Sequence, residues 1–83
     1  MIEIKEEQYR ELHEDGNKFC GRIFSWHRGM IIIYYVIDEA DAHKSAKQIL
    51  RELAQGHPIT EDKYDVFRHW AFPEVETVNY TVS

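Results

Sequence analysis

The sequence predicts a small α+β protein with an antiparallel sheet around a central β-hairpin and two or three helices, roughly in the order β-α-β-β-α-α-β. Three observations predict this fold. Two strand-like segments flank a turn at residues 27–29, and an amphipathic helical pattern follows over residues 42–53. The chain has 83 residues, which suits one domain over residues 1–83. We expect the helices to pack on one face of the sheet.

The first two predicted elements are a short strand and a surface helix. Ile2 and Ile4 alternate with charged residues, as in an edge strand or an extended arm. Residues 6–16 are mostly good helix formers, with acids in the first turn and Gly16 as a possible left-handed cap. A second interpretation makes residues 9–13 a strand that leads into a turn at residues 15–16. The composition favours the helix.

The hairpin is the clearest pattern in the chain. Residues 18–26 predict a strand and residues 30–37 a second strand that is apolar or aromatic on both faces. Between them, Gly29 can adopt the positive φ that a tight turn needs. The two faces of the first strand are Cys20, Arg22, Phe24 and Trp26 on one side and Phe19, Gly21, Ile23 and Ser25 on the other.

A longer helix is predicted after the hairpin. It would begin at residues 38–41, where Asp38 or Asp41 would cap free backbone N–H groups. Gly56 and Pro58 would end it. Its apolar stripe at helical spacing is Ala42, Ala46, Ile49, Leu50 and Leu53.

The last two predicted elements are a second, shorter helix and a final strand. The helix would begin at residues 60–63 and bury Tyr64 and Phe67 on one side, with Trp70 as a further candidate for that side. Pro73 would end it. The final strand is predicted because Val78, Tyr80 and Val82 alternate with polar residues.

Cysteine content and hydropathy predict the compartment. Cys20 is the only cysteine, so no intramolecular disulfide can form, which is typical of a cytosolic protein. The N-terminal residues lack the basic start and apolar stretch of a signal peptide. The longest apolar run, residues 30–37, is too short to span a bilayer. We therefore expect a cytoplasmic protein with no membrane partner.

Charge is unevenly distributed along the chain. The net charge is −5, and both ends are acidic, whereas residues 18–37 carry three basic residues and no acid. A negative chain disfavours direct nucleic-acid binding, because phosphates attract positive surfaces. A partner protein with a basic surface would be attracted instead. The predicted acidic docking face consists of Glu7, Glu11, Glu14, Glu61, Asp62 and Asp65.

Candidate catalytic and metal-binding residues have structural explanations. Cys20 has no aligned histidine in a simple hairpin register, so a buried structural thiol is favoured over a nucleophile. The carboxylates at residues 38–41 fit a helix start. No phosphate-binding glycine loop or zinc-protease motif occurs. No two histidines stand at the short spacing of paired metal ligands. We therefore expect no enzyme, cofactor or metal site. The histidines are His13, His27, His43, His57 and His69.

The hairpin offers a second candidate binding surface. Arg22, Phe24 and Trp26 share a strand face, Arg28 lies at the turn, and Tyr34 would lie on the opposite strand. Such residues build stacking platforms for nucleic-acid bases, and Trp, Tyr and Arg are also enriched in protein-binding hot spots. The alternative is that the aromatic residues belong to the core. The residues predicted to contact a partner here are Arg22, Trp26, Arg28 and Tyr34.

In this chain a hairpin leads into a helix that begins with acids and contains alanines. In this organisation it resembles small acidic accessory proteins of phages and mobile elements. Anti-CRISPR and DNA-mimic inhibitors are similar in size and charge. The resemblance implies a non-catalytic protein-binding inhibitor that docks its acidic surface on a nucleic-acid-binding partner. Two alternatives stay open: a homodimeric structural or regulatory domain, and a small nucleic-acid binder that uses the hairpin.

Overall fold

The computed structural model describes residues 1–15, 19–55, 57, 63–69 and 74–79. These residues form a five-stranded antiparallel sheet, two α-helices and one 3-10 turn. The elements are β1 (Ile2–Ile4), α1 (Glu6–Glu14), β2 (Cys20–Ser25), β3 (Met30–Val36), the 3-10 turn (Glu39–Asp41), α2 (Ala46–Leu53), β4 (Lys63–Arg68) and β5 (Glu74–Asn79). The strand order across the sheet is β1-β3-β2-β4-β5.

The N-terminal strand and helix are confirmed. β1 is an edge strand that pairs with β3, with Ile2 opposite Val36. Residues 6–14 are a helix rather than a strand, and the side chain of Gln8 accepts a hydrogen bond from the backbone N–H of Lys5 at the helix start. The predicted cap at Gly16 lies outside the described residues.

The predicted hairpin is confirmed, and the structure adds its register. Arg22 lies opposite Tyr34, and a bulge between Ile23 and Phe24 shifts the pairing towards the turn. Gly29 has a φ of 65°, a conformation that glycine adopts without steric cost, and its N–H donates to the carbonyl of Ser25. The two strand faces therefore alternate as the sequence predicts.

The long helix begins later than predicted. Residues 39–41 form only a 3-10 turn, and α2 begins at Ala46, where the Ser45 hydroxyl accepts from the N–H of Gln48 at 3.2 Å. Asp41 instead forms an ion pair with Lys44 at 3.0 Å. The prediction that Asp38 or Asp41 caps α2 is therefore wrong, because Ser45, also a preferred capping residue, stands at the helix start.

The predicted second late helix is wrong where the structure describes it. Residues 63–68 form β4, a strand between β2 and β5 that pairs with both. Tyr64 and Val66 are buried while Phe67 lies on the other face, which is the alternation of a strand. Trp70 and residues 60–62 lie outside the described residues. Pairing with a strand on each side satisfies backbone groups that an isolated segment would satisfy as a helix.

The two helices lie on opposite faces of the sheet, so the prediction of a single helical face is also wrong. α2 packs on the face that contains Ile23, Ile33 and Tyr35, and these residues share one buried cluster with Ile49 and Leu50. The remaining members of this buried cluster are Ile37, Ala46, Leu53, Ala54, Tyr64, Val66 and Val78. The observed order of helices and strands is β-α-β-β-α-β-β.

Helix α1 covers part of the other face through Tyr9, whose ring centroid lies 4.9 Å from that of Tyr34. Tyr9 is the buried residue of this helix.

The predicted final strand is confirmed at Val78, which is buried in β5, whereas Tyr80 and Val82 lie outside the described residues.

Candidate binding surface on the sheet

The face of the sheet opposite α2 collects aromatic and basic side chains from β2, β3 and β4 and an apolar side chain from β5. We call it the aromatic face. Strand register places Arg22 between Tyr34 of β3 and Phe67 of β4, and Val75 of β5 lies beyond Phe67. The aromatic face consists of Arg22, Phe24, Trp26, Tyr34, Lys63, Phe67 and Val75.

Trp26 is the most prominent side chain of the aromatic face. It is 50% exposed, although a tryptophan in a small protein usually buries most of its large apolar area. Phe24 contacts its edge at a centroid distance of 6.2 Å, and the Lys63 ammonium lies 4.9 Å from its ring centroid. The indole is therefore positioned by neighbours while half of its surface faces solvent.

The rest of the aromatic face is only partly covered. Phe24, Tyr34 and Phe67 are half-buried, and Val75 is 55% exposed. None of these four belongs to the buried cluster under α2. Adjacent exposed apolar side chains are typical of a surface that another molecule covers.

Arg22 lies near the middle of the aromatic face and contacts the ring of Phe67. Its guanidinium carbon is 4.6 Å from the ring centroid, a cation–π distance. Its Nε is shielded from water and has no hydrogen-bond acceptor among the residues that the structure describes. Arg28, which was predicted to extend this surface, lies in the exposed turn, where its backbone N–H donates to the Ser25 hydroxyl.

Tyr9, His13 and His69 form a cluster where α1 packs on the end of this sheet face. The Tyr9 hydroxyl and His69 Nε2 are hydrogen-bonded at 2.6 Å, and the rings of His13 and His69 stack at 4.7 Å. Burial lowers the pKa of His69, and the charges of His13 and Arg22 lower it further. Burial also raises the pKa of Tyr9. Both groups are therefore held in their neutral forms, as a buried hydrogen bond favours.

Cys20 is fully buried in β2, next to this cluster. Its pKa is raised by burial, which keeps the thiol protonated. A protonated buried thiol is a poor nucleophile, because the thiolate is the reactive form. The geometry therefore agrees with a structural role for Cys20.

The other candidate chemical groups are dispersed. Within the described ranges, no group of three or more His, Cys, Asp or Glu side chains lies in position to hold a metal ion. His57 contacts Glu3 at 2.7 Å, and His27 and His43 are exposed. The hydrogen bond from Lys44 lowers the pKa of Asp41 to about 2.

The predicted acidic face is divided between elements. Glu7, Glu11 and Glu14 are exposed on α1. Asp65 lies on β4 next to Phe24 in the register, where it accepts a hydrogen bond from the Thr77 hydroxyl at 2.7 Å. Glu61 and Asp62 lie outside the described residues.

Three members of the aromatic face were missed by the sequence reasoning, namely Lys63, Phe67 and Val75. Lys63 and Phe67 lie in the segment that the sequence pattern predicts as a helix, which would place Phe67 in the core, and Val75 belongs to no predicted element. The alternation of Tyr64 and Val66 with polar residues was the available signal for a strand.

Comparison with known proteins adds no relative. The chain matches no protein family, no curated protein and no solved structure at a significant level. Neither described helix combines the length and the apolar character required to cross a membrane.

Proposed function

We propose that this chain is a non-catalytic protein-binding module and that its partner docks on the aromatic face. The observation that carries the proposal is Trp26, half exposed yet positioned by Phe24 and Lys63. A side chain that is ordered before binding loses little conformational entropy on binding. Tryptophan buries a large area at an interface and is the type most enriched in binding hot spots.

The surroundings of Trp26 support the same proposal. Phe24, Phe67 and Val75 extend an apolar surface across β2, β4 and β5, and Arg22 and Lys63 lie among them. Apolar centres with nearby polar groups are typical of protein interfaces.

The test compares Trp26→Ala with Met30→Ala. Met30 is 56% exposed but lies on the opposite sheet face at the end of β3, which makes it a control for loss of exposed apolar surface. Tagged wild type is used to capture a partner from nuclease-treated bacterial lysate, and the partner is then purified and titrated with each variant. We expect Trp26→Ala to weaken binding at least about 30-fold, roughly 2 kcal/mol, and Met30→Ala to leave it unchanged.

Three outcomes would contradict the proposal. The first is that Trp26→Ala and Met30→Ala bind the purified partner with equal affinity. Light scattering could show wild-type dimers that Trp26→Ala converts to monomers, which would make a second copy the occupant. Tight binding of single-stranded oligonucleotides that is lost in Trp26→Ala would favour a nucleic-acid binder.

A second candidate is the acidic inhibitor, in which α1 docks on a basic, nucleic-acid-binding surface. Glu7, Glu11 and Glu14 are exposed, and no ion pair joins them to another described residue. Their charge therefore remains available to a basic partner. In this case affinity should fall steeply with added salt. The variant with all three glutamates changed to lysine should lose binding, whereas Trp26→Ala should retain it.

A further inference from the structure

Arg22 and Arg68 are two arginines of β2 and β4 whose environments differ. Arg68 is buried, and its guanidinium forms ion pairs with Glu74 at 3.3 Å and Glu76 at 3.4 Å. Arg22 is half-buried and forms no ion pair with any residue in the described part of the chain. Acidic residues are not scarce, because the chain has 15 of them against 10 lysines and arginines.

A half-buried cation without a carboxylate is costly, since it loses water without gaining an equivalent partner. The ring of Phe67 offsets part of this cost by a cation–π contact, but it does not accept the N–H groups as an oxygen would. The Nε of Arg22 also has no hydrogen-bond acceptor in the described part of the chain. Within that part, the aromatic face therefore contains an N–H donor without an acceptor and a positive charge without a carboxylate.

The charge of Arg22 also acts on its neighbours. Burial is the main cause of the lowered pKa of His69, and Arg22 lowers it further. Arg22 likewise opposes the effect of burial on the pKa of Tyr9. These effects place the positive charge of Arg22 close to both Tyr9 and His69.

We propose that Arg22 binds a carboxylate of the partner protein, presented beside an apolar side chain that packs on Phe24, Trp26 and Phe67. This rests on the proposed function and adds the chemistry of the docking segment. A guanidinium holds a carboxylate with two parallel hydrogen bonds, so Arg22 fixes the register of the segment on the sheet. Lys63, at the Trp26 end of the aromatic face, adds a second positive charge.

Charge complementarity favours a carboxylate from a protein over the phosphates of a nucleic acid. A single carboxylate satisfies Arg22 and brings one negative charge. A nucleic acid brings one charge per nucleotide to a chain with a net charge of −5, and its binding needs several cations along one path.

The first test uses phenylacetate as the probe and phenylacetamide as its neutral control. Nitrogen-15 NMR of the full chain would follow the arginine Nε–H signals, with the Arg22 signal assigned through Arg22→Lys, and the Trp26 indole N–H. We expect phenylacetate to shift the Arg22 and Trp26 signals saturably and phenylacetamide to bind at least about tenfold more weakly, as loss of a charged hydrogen-bonded pair predicts. An equal response to both compounds, or no saturable shift at Arg22, would overturn the proposal.

The second test uses the purified partner. Arg22→Gln should weaken binding about 30-fold, Arg22→Lys should weaken it less, and Arg28→Gln in the exposed turn should leave it unchanged. If Trp26→Ala abolishes binding while Arg22→Gln binds as wild type, the protein-binding function stands and the carboxylate site falls. If single-stranded oligodeoxythymidylate shifts the Arg22 signal at lower concentration than phenylacetate does, the ligand is a phosphate and the proposal is overturned.

Discussion

At the scale of single residues, Gly21 shows how closely β2 and β4 pack. The side chain of Tyr35 crosses over Gly21, and its hydroxyl donates to the carbonyl of Phe67 at 3.0 Å. A Cβ at position 21 would overlap both the Phe67 carbonyl oxygen and the Tyr35 ring. Burial holds the pKa of Tyr35 far above its ordinary value, so the hydroxyl remains a donor. Gly21 is therefore required by the space around it.

Gly21→Ala should lower the free energy of unfolding by about 3 kcal/mol, because the backbone carbonyl cannot move aside without disturbing the strand pair. Urea denaturation monitored by tryptophan fluorescence measures the change. Gly29→Ala is the control: its Cβ would meet nothing within 4 Å, and its φ of +65° predicts a loss of only about 1 kcal/mol. Equal losses in the two variants would contradict the packing argument.

His69 predicts a pH dependence of stability. Its pKa in the folded protein lies below its ordinary value of 6.5, so the unfolded chain binds a proton more readily. The stabilising contribution is complete above pH 6.5 and is lost as the pH falls through that value towards the folded pKa.

His69→Gln should reduce this loss, because glutamine does not titrate while it retains a hydrogen-bonding side chain for Tyr9. Urea denaturation of both proteins at a series of pH values above and below 6.5 measures the difference. Parallel curves for wild type and variant would show that His69 does not contribute. His13→Gln should reduce the loss by less than His69→Gln does, because it removes only the charge of the stacked neighbour while burial, the main cause of the lowered pKa of His69, remains.

At the scale of elements, α2 depends on its start and on its buried stripe. Ser45 provides the capping hydroxyl, and Ala46, Ile49, Leu50 and Leu53 are buried against the sheet. The stripe follows the sequence periodicity, whereas the cap does not follow from it. Three potential capping residues precede the helix, namely Asp38, Asp41 and Ser45, and only the local backbone decides which of them stands at its first turn.

Ser45→Ala should destabilise the protein by about 1 kcal/mol, because the N–H of Gln48 loses its acceptor. Asp38→Ala should cost less, since the Asp38 side chain makes no capping hydrogen bond. Thermal denaturation of both variants checks the order of the effects. A larger loss of stability for Asp38→Ala than for Ser45→Ala would show that Asp38 caps the helix, as the sequence pattern predicts.

At the scale of the whole molecule, the two sides of the sheet differ in how completely their side chains are buried. The side under α2 holds a buried cluster of 12 of the residues that the structure describes. On the other side, α1 contributes Tyr9 as its buried residue, and the aromatic face remains half-buried or exposed. Buried apolar contacts are thus concentrated on one side, and the other side leaves apolar surface exposed.

Hydrogen exchange should reflect this asymmetry. The amides of α1 should exchange through local opening of lower free energy than those of β2 and β3, because few apolar contacts hold the helix. Native-state exchange measured by NMR at increasing denaturant separates local from global opening. Tyr9→Phe, which removes the hydrogen bond to His69, should speed exchange in α1 alone. Protection of α1 equal to that of β2 would contradict this account.

Local patterns accounted for the hairpin, the first strand, the first helix and the buried stripe of α2. Each depends on residues close in sequence: a glycine at a tight turn, alternation along a strand, or helical spacing. The same patterns brought Arg22, Phe24, Trp26 and Tyr34 to one face, as the structure has it.

The sequence by itself determined which residues of β2 share a face and which side of α2 is apolar, because side-chain periodicity follows from backbone geometry. Only the tertiary structure decided that residues 63–68 form a strand, since that choice depends on pairing with β2 and β5. It also decided that α1 and α2 lie on opposite faces and that Phe67 and Val75 join Arg22. These features depend on residues distant in sequence, whose pairing local propensity does not encode.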